Sequence, residues 1–121
     1  MAQARPVQVE LIQQHDDHPS VYEEWSRGRS CAFHQLATVT ADYEAKKAHY
    51  ASLGYEVVAE SESARFRVAY VDTVADFGFF TEVVAHNPEF LAQLGRLSRL
   101  SAEWDGIDPV RILTRDGYRT P

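Results

Sequence analysis

The sequence has 121 residues, of which 45% are hydrophobic and 25% are charged, a composition typical of one globular domain over 1–121. Its formal net charge is −6, and the acidic residues are spread along the chain, which argues against nucleic acid or an anionic membrane as a partner because both favour clustered Lys and Arg. The chain has no run of about 18 apolar residues, no apolar secretory signal and a single cysteine, Cys31, so we expect a cytoplasmic protein without a membrane span or an intrachain disulfide.

The first predicted elements are a strand and a short helix. The strand covers 7–14, with Val7, Val9 and Leu11 on one face and Glu10 on the other. The helix begins after Ser20, whose hydroxyl can cap it, and ends at Gly28.

A second predicted strand covers about 32–39, and a helix over 41–53 follows it. Alternation places Gln35 on one face of the strand, and His34 on the opposite face, towards the helix or a neighbouring strand. Gly54 ends the helix. Small side chains along the helix predict close packing against a sheet: Ala41, Ala45, Ala48 and Ser52.

Three more strands are predicted over 55–59, 66–72 and 79–85, with short links that favour an antiparallel meander. After them, Asn87 and Pro88 begin a C-terminal helix over 88–105, in which a stripe of leucines either packs on its own sheet or forms an interface. The tail over 108–121 has few apolar residues and is predicted to lie on the surface. The fold class is therefore α+β: one βαβββ module over 32–86, with a preceding strand and short helix and a C-terminal helix.

Two glutamates lie within otherwise apolar strands, in Val9-Glu10-Leu11-Ile12 and Thr81-Glu82-Val83-Val84. A carboxylate in a packed core is costly unless it is paired, so each glutamate faces solvent, a partner charge or a metal. Spacing alone favours the solvent-facing alternative, on the wet side of a half-exposed sheet.

The module resembles the vicinal-oxygen-chelate (glyoxalase-like) superfamily. The opening segment Phe33-His34-Gln35-Leu36-Ala37, with Asp42 and Leu53-Gly54-Tyr55, is similar to the first strand, helix and second strand of that module. Ala69-Tyr70-Val71-Asp72-Thr73, with Gly78 and Thr81-Glu82-Val83-Val84, is similar to its last two strands. The resemblance implies a cupped sheet in which Gln35 and Glu82 are metal ligands, and Glu10 matches the last-strand ligand of a preceding module.

The chain departs from the family pattern because the first βαββ portion of that preceding module is absent. We expect an N-terminally shortened two-module protein, in which residues 1–5 are the end of the strand before Val7. Two copies that form a homodimer would each contribute Gln35 and Glu82 and so restore four ligands.

The resemblance implies a divalent metal cofactor. Glu10, Gln35 and Glu82 form an oxygen-rich set that suits Mg²⁺, Mn²⁺ or Fe²⁺, whereas Zn²⁺ or Ni²⁺ would need an added histidine. His86, four residues after Glu82 and on the same face, is an auxiliary ligand or base. His34 is a ligand only if the strand register slips by one residue, and otherwise a structural histidine.

Three functions remain open from the sequence. The first is a metal-dependent lyase, isomerase or dioxygenase-type enzyme that acts on a small oxygenated substrate, with Glu82 as the catalytic base. The second is a metal-free small-molecule-binding protein of the bleomycin-resistance kind, and the third is an inactive truncated module. In the first two, the cup would bind a ligand through side chains that are otherwise half-exposed strand residues: Tyr55, Arg65, Arg67 and Tyr70.

Overall fold

A computed structural model describes residues 1–29, 31–63, 66–114 and 118–121 of the chain. These residues form a mixed fold of strands and helices, which confirms the predicted α+β class. In chain order the elements are β1 (Ala2–Ala4), β2 (Val7–Val9), α1 (Val21–Ser26), β3 (Gln35–Thr40), α2 (Tyr43–Ser52), β4 (Val57–Glu62), β5 (Arg67–Val71), α3 (Val74–Phe77), β6 (Phe80–Ala85), α4 (Pro88–Ala102), β7 (Ile112–Leu113) and β8 (Tyr118–Arg119).

The chain divides into two compact units. The first contains Met1–Glu10 together with Leu94–Pro121, and the second contains Leu11–Gln93. The predicted βαβββ module lies in the second unit. Within the described residues, no helix is both long enough and apolar enough to cross a bilayer.

In the first unit, β1 and β2 form an antiparallel hairpin in which Ala2 pairs with Val9 and Ala4 pairs with Val7. The predicted strand over 7–14 therefore ends at Val9, and the longer boundary is wrong. The three-residue strand β1 gives β2 no backbone partner beyond Val9, so the chain leaves the ladder there.

The second unit is built on a four-stranded sheet with the order β3-β6-β5-β4. Strand β3 is parallel to β6, and the pairs β6–β5 and β5–β4 are antiparallel. This arrangement confirms the predicted antiparallel meander of the last three strands. It also places β6 in the middle of the sheet and leaves β3 at one edge.

Helix α2 covers one face of this sheet. Asp42 caps its first turn by accepting a hydrogen bond from the backbone N–H of Ala45 at 2.9 Å. Tyr43 is the buried residue of the helix, and it packs with Ala69, Val71 and Val83. The small-residue stripe predicted to contact the sheet is exposed instead, because the larger apolar area of an aromatic ring gains more from burial than a methyl group does.

The opposite face of the sheet is covered by α1 and by the first turn of α4. Its buried residues are Val68, Tyr70 and Val84. Val21 and Tyr22 of α1 pack against them, and so do further aromatic side chains, namely Phe66, Phe80 and Phe90. Because both faces are covered, Val71 and Val83 have no solvent exposure.

Candidate functional site

A group of polar side chains lies on the face of the sheet opposite α2, and Glu82 is at the centre of this group. Glu82 is on β6, is only 7% exposed and pairs across the ladder with Tyr70 of β5. Gln35, the first residue of β3, donates a hydrogen bond from Nε2 to Glu82 Oε2 at 2.8 Å. The two residues that the sequence predicted as ligands within the module are therefore in direct contact.

His34 belongs to the same group. Its Nδ1 contacts Gln35 Oε1, and its Nε2 lies 3.3 Å from the carbonyl oxygen of Val21. Its ring centroid lies 5.7 Å from that of Tyr70 and 5.1 Å from that of Phe80. The prediction that His34 faces away from Gln35 is wrong because β3 begins at Gln35, so strand alternation does not extend to the residue before it.

Two tyrosines complete the group, which we call the Glu82 cluster: Tyr22, His34, Gln35, Tyr70 and Glu82. The hydroxyls of Tyr22 and Tyr70 are 2.5 Å apart, and the two rings meet edge to face. Burial raises the pKa of Tyr70 well above its usual value, and the hydrogen bond with Tyr22 and the charge of Glu82 raise it further. Tyr70 is therefore protonated at neutral pH and can donate a hydrogen bond.

The sequence did not identify Tyr22. The available signal was its place as the second residue of a helix capped by Ser20. The Ser20 hydroxyl accepts a hydrogen bond from the backbone N–H of Glu23 at 3.0 Å, which fixes the first turn of α1 and with it the position of Tyr22. Nothing in the sequence pattern indicates which sheet face that turn covers.

Two other predicted ligands lie outside the Glu82 cluster. Glu10 follows the last residue of β2 in the first unit and is exposed. His86 is exposed and follows the last residue of β6, and its backbone N–H donates to the carbonyl of Thr40 at 2.8 Å. Four residues of extended chain, about 13 Å, separate it from Glu82, which places it at the end of the strand rather than beside the carboxylate.

Arg67 lies on the α2 face, so the prediction that it lines the same cup as Tyr70 is wrong. Its guanidinium contacts Glu44 of α2 and lies over the ring of Tyr43, 4.3 Å from the centroid. Tyr55 donates to Asp76 at 2.7 Å, and Arg65 lies outside the described residues. Of the predicted substrate-binding residues that the structure describes, only Tyr70 belongs to the Glu82 cluster.

The α2 face carries an ion network that predicts a pH dependence. Lys47 Nζ lies 2.7 Å from Glu60, and its hydrogen bond, followed by that of Tyr43, lowers the pKa of Glu60 below its usual 4.5. The pKa of Glu44 is lowered too, first by its bond with Arg67. A carboxyl group whose pKa is lower in the folded state stabilises the fold. This stabilisation is fully present at a pH above the pKa of the unfolded state, and it is lost as the pH falls through the pKa of the folded state.

We therefore expect the urea midpoint to fall as pH is lowered from about 6 to about 3, with a steeper fall than in Lys47→Met. Lys46→Met, at the neighbouring position on α2, is the control and should keep the steep fall of the parent. An identical pH profile in the parent and in Lys47→Met would show that the network adds nothing, as many exposed ion pairs do.

The donor atoms of the Glu82 cluster fit part of a divalent-metal site. The carboxylate of Glu82 and the side-chain oxygen of Gln35 are hard ligands, and the imidazole of His34 suits Zn²⁺ or Ni²⁺ as well. In this structure Gln35 turns its Nε2 to Glu82 and its Oε1 to His34, so the amide must rotate before its oxygen can share an ion with the carboxylate. Across the described parts of the chain, no three or more His, Cys, Asp or Glu side chains are grouped so as to hold a metal ion. One copy thus offers one carboxylate, one amide oxygen and one imidazole.

Comparison with known proteins adds no family to this description. No protein-family model matches the chain, and no curated protein matches it either.

Proposed function

We propose that this chain is a glyoxalase-like protein of the vicinal-oxygen-chelate superfamily, in which Gln35 and Glu82 bind a divalent metal. It acts as a lyase, isomerase or dioxygenase-type enzyme on a small oxygenated substrate in the cytoplasm. The observation that carries the proposal is that Gln35 and Glu82 are adjacent on one face of the sheet, within a hydrogen bond of 2.8 Å from Gln35 Nε2 to Glu82 Oε2. An ion would replace that hydrogen bond after the Gln35 amide turns its oxygen towards Glu82. The antiparallel meander of β4, β5 and β6, which was predicted for the module, is consistent with this proposal.

The burial of Glu82 supports a cation at this position. Removing a carboxylate from water is costly, and a divalent ion offsets that cost better than an amide does. Bound there, Mg²⁺, Mn²⁺, Fe²⁺, Zn²⁺ or Ni²⁺ would supply Lewis-acid polarisation of substrate oxygens.

The side chains of the Glu82 cluster can then supply a general base, a hydrogen-bond donor and a positioning contact. A carboxylate oxygen of Glu82 accepts a proton from a substrate carbon next to a carbonyl, as a general base does. Tyr70 donates a hydrogen bond from its hydroxyl, which the raised pKa keeps protonated. Tyr22 holds that hydroxyl in place.

A homodimer is part of the proposal, because one copy supplies too few ligands for a closed site. Two copies together supply two Gln35 and two Glu82 side chains. The edge strand β3 supports pairing: Leu36 is 51% exposed and Val39 is 40% exposed. An edge strand with exposed apolar side chains favours association with another chain.

Calorimetric titration with Mn²⁺ tests the metal site. We expect Gln35→Leu to bind Mn²⁺ at least tenfold more weakly than the parent, because it removes one oxygen ligand and keeps the side-chain volume. Gln93→Leu, the same substitution at an exposed position on α4, should bind as the parent does. Equal affinities in all three proteins, or no binding by the parent, would remove the metal from the proposal.

The second candidate is metal-free binding of a small molecule. It is favoured by the same hydrogen bond, since the amide of Gln35 already satisfies an oxygen of Glu82 without an ion. The test is binding of a hydroxy acid or an aromatic ligand to chelator-treated protein. Retained binding supports this candidate, and binding that returns only with Mn²⁺ supports the enzyme.

A further inference from the structure

Helix α1 lies over the Glu82 cluster. The ring centroid of Tyr22 is 4.7 Å from that of His34 and 6.0 Å from that of Tyr70. Tyr70 pairs with Glu82 across the sheet. His34 contacts Gln35, so Tyr22 lies against a neighbour of each ligand proposed within the module. With α1 in this position Glu82 is 7% exposed and Tyr70 is 9% exposed, which leaves a ligand little access to the carboxylate.

The side chains of α1 hold the helix on the sheet. None of its six described residues is itself buried, although Val21 and Tyr22 pack against the apolar core of that face. Trp25 is a second anchor: its ring packs on Phe80, 5.4 Å between centroids, and its Nε1 donates to the carbonyl of Phe33 at 2.9 Å. A helix this short is not stable by itself, so its position depends on these contacts.

The chain on either side of α1 is exposed. In the described structure, residues 11–19 form no helix or strand, and they are exposed except for Gln14. The hydrogen bonds that the structure describes for this segment stay within residues 14–20. Residues 27–29, after the helix, are exposed as well. Because neither flanking segment is part of the sheet, α1 can leave it as a unit while the strands stay paired.

We propose that α1 is a lid on the Glu82 cluster, held shut by Tyr22 and Trp25, which must swing outward before an ion or a substrate reaches Glu82. The lid rests on the function proposed for this cluster, since a carboxylate that binds nothing needs no route of entry. Opening separates the hydroxyl of Tyr22 from that of Tyr70 and breaks the hydrogen bond of the Trp25 indole. Closure keeps water away from the carboxylate, as lids of other active sites do.

Histidine labelling of the metal-free chain measures the opening without any ligand. His34 lies against Tyr22, and its Nε2 faces the carbonyl oxygen of Val21, whereas His49 on α2 is exposed and is the internal reference. Diethyl pyrocarbonate modifies accessible imidazoles, and mass spectrometry of peptides gives the rate at each histidine. We expect Trp25→Ala to label His34 about fivefold faster or more than the parent, with the His49 rate unchanged, because losing the indole raises the open fraction.

Two control variants distinguish a lid from general loosening of the fold. Trp104→Ala removes an indole from the other compact unit and should label His34 as the parent does. Val83→Ala weakens the core on the opposite face of the sheet and keeps the contacts of α1, so it should also keep the parent rate. A His34 rate that is equal in the parent and in Trp25→Ala, or raised as much in Val83→Ala, would overturn the lid.

Release of Mn²⁺ connects the lid with the proposed metal site. Stopped-flow transfer of the ion from loaded protein to a fluorescent chelator should be about fivefold faster or more in Trp25→Ala than in the parent or in Trp104→Ala, because the ion leaves through the same opening. Equal release rates would contradict the lid. If neither the parent nor any variant binds Mn²⁺, the function proposed for the cluster fails, and the labelling of His34 still decides whether α1 opens.

Discussion

Glu82→Gln is expected to reduce Mn²⁺ affinity by about a hundredfold or more, which is a loss of about 2.7 kcal/mol, and to leave the fold intact. The amide has nearly the volume of the carboxylate, and its oxygen can still accept the hydrogen bond from Gln35. It carries no charge, so it neither attracts a divalent cation nor costs as much to bury. Calorimetric titration gives the affinity, and urea unfolding of the metal-free variant gives the stability.

Glu103→Gln is the matched control, since Glu103 is exposed near the end of α4. It should keep both the metal affinity and the urea midpoint of the parent. The metal-free Glu82→Gln protein should unfold at the same urea concentration as the parent or at a higher one. If it bound Mn²⁺ as tightly as the parent, Glu82 would not be a ligand.

Val83→Ala is expected to lower the free energy of unfolding by about 2–3 kcal/mol. Val83 is on the central strand β6, has no solvent exposure and packs against Tyr43, Ala69 and Val71. The truncation removes two buried methyl groups from between the sheet and α2 and leaves a cavity that the sheet cannot close. Urea unfolding with a constant m-value measures the change.

The same substitution at Val58 gives the comparison. Val58 is on β4 at the edge of the sheet and is 44% exposed, so Val58→Ala should cost less than about 0.5 kcal/mol. Similar losses at both positions would contradict the assignment of β6 to the centre of the core.

The sequence predicted the order and type of the module's four strands and of α2, because hydrophobic alternation and helix caps are local signals, but it did not predict the one-turn helix α3 between β5 and β6. Gly54 follows the end of α2 as expected. Asn87, which was expected to begin α4, accepts hydrogen bonds from the backbone N–H groups of Glu89 and Phe90. Which face of a helix meets the sheet is decided by competition for buried area. Tyr43 is buried against the sheet and the alanine stripe is exposed. The spacing of small residues alone does not indicate that the tyrosine face is the one that packs.

The candidate site was predicted in part. Gln35 and Glu82 are together because a period of two fixes their faces once the strands are paired. The same rule separates Arg67 from Tyr70, three residues apart in one strand, and it could have excluded Arg67 from the sequence alone. The orientation of His34 was predicted wrongly because the predicted strand began three residues before β3 does, so alternation was applied to a residue outside the strand.

The contribution of α1 to the site depends on a long-range contact. The hydroxyl of Tyr22 contacts that of Tyr70, which lies 48 residues away in the sequence. The periodicity of residues 21–26 does not indicate that Tyr70 is the partner of Tyr22. This contact can be identified only from the packing of α1 on the sheet.

The central claim is that Gln35 and Glu82 form half of a divalent-metal site that a second copy completes. Native mass spectrometry of the protein with Mn²⁺ measures both the number of 13.7 kDa chains and the number of ions in one particle. We expect dimers that carry one Mn²⁺ for every two chains, and ion-free protein after Glu82→Gln. A monomer without a bound ion, or one ion on each separate chain, would contradict the claim.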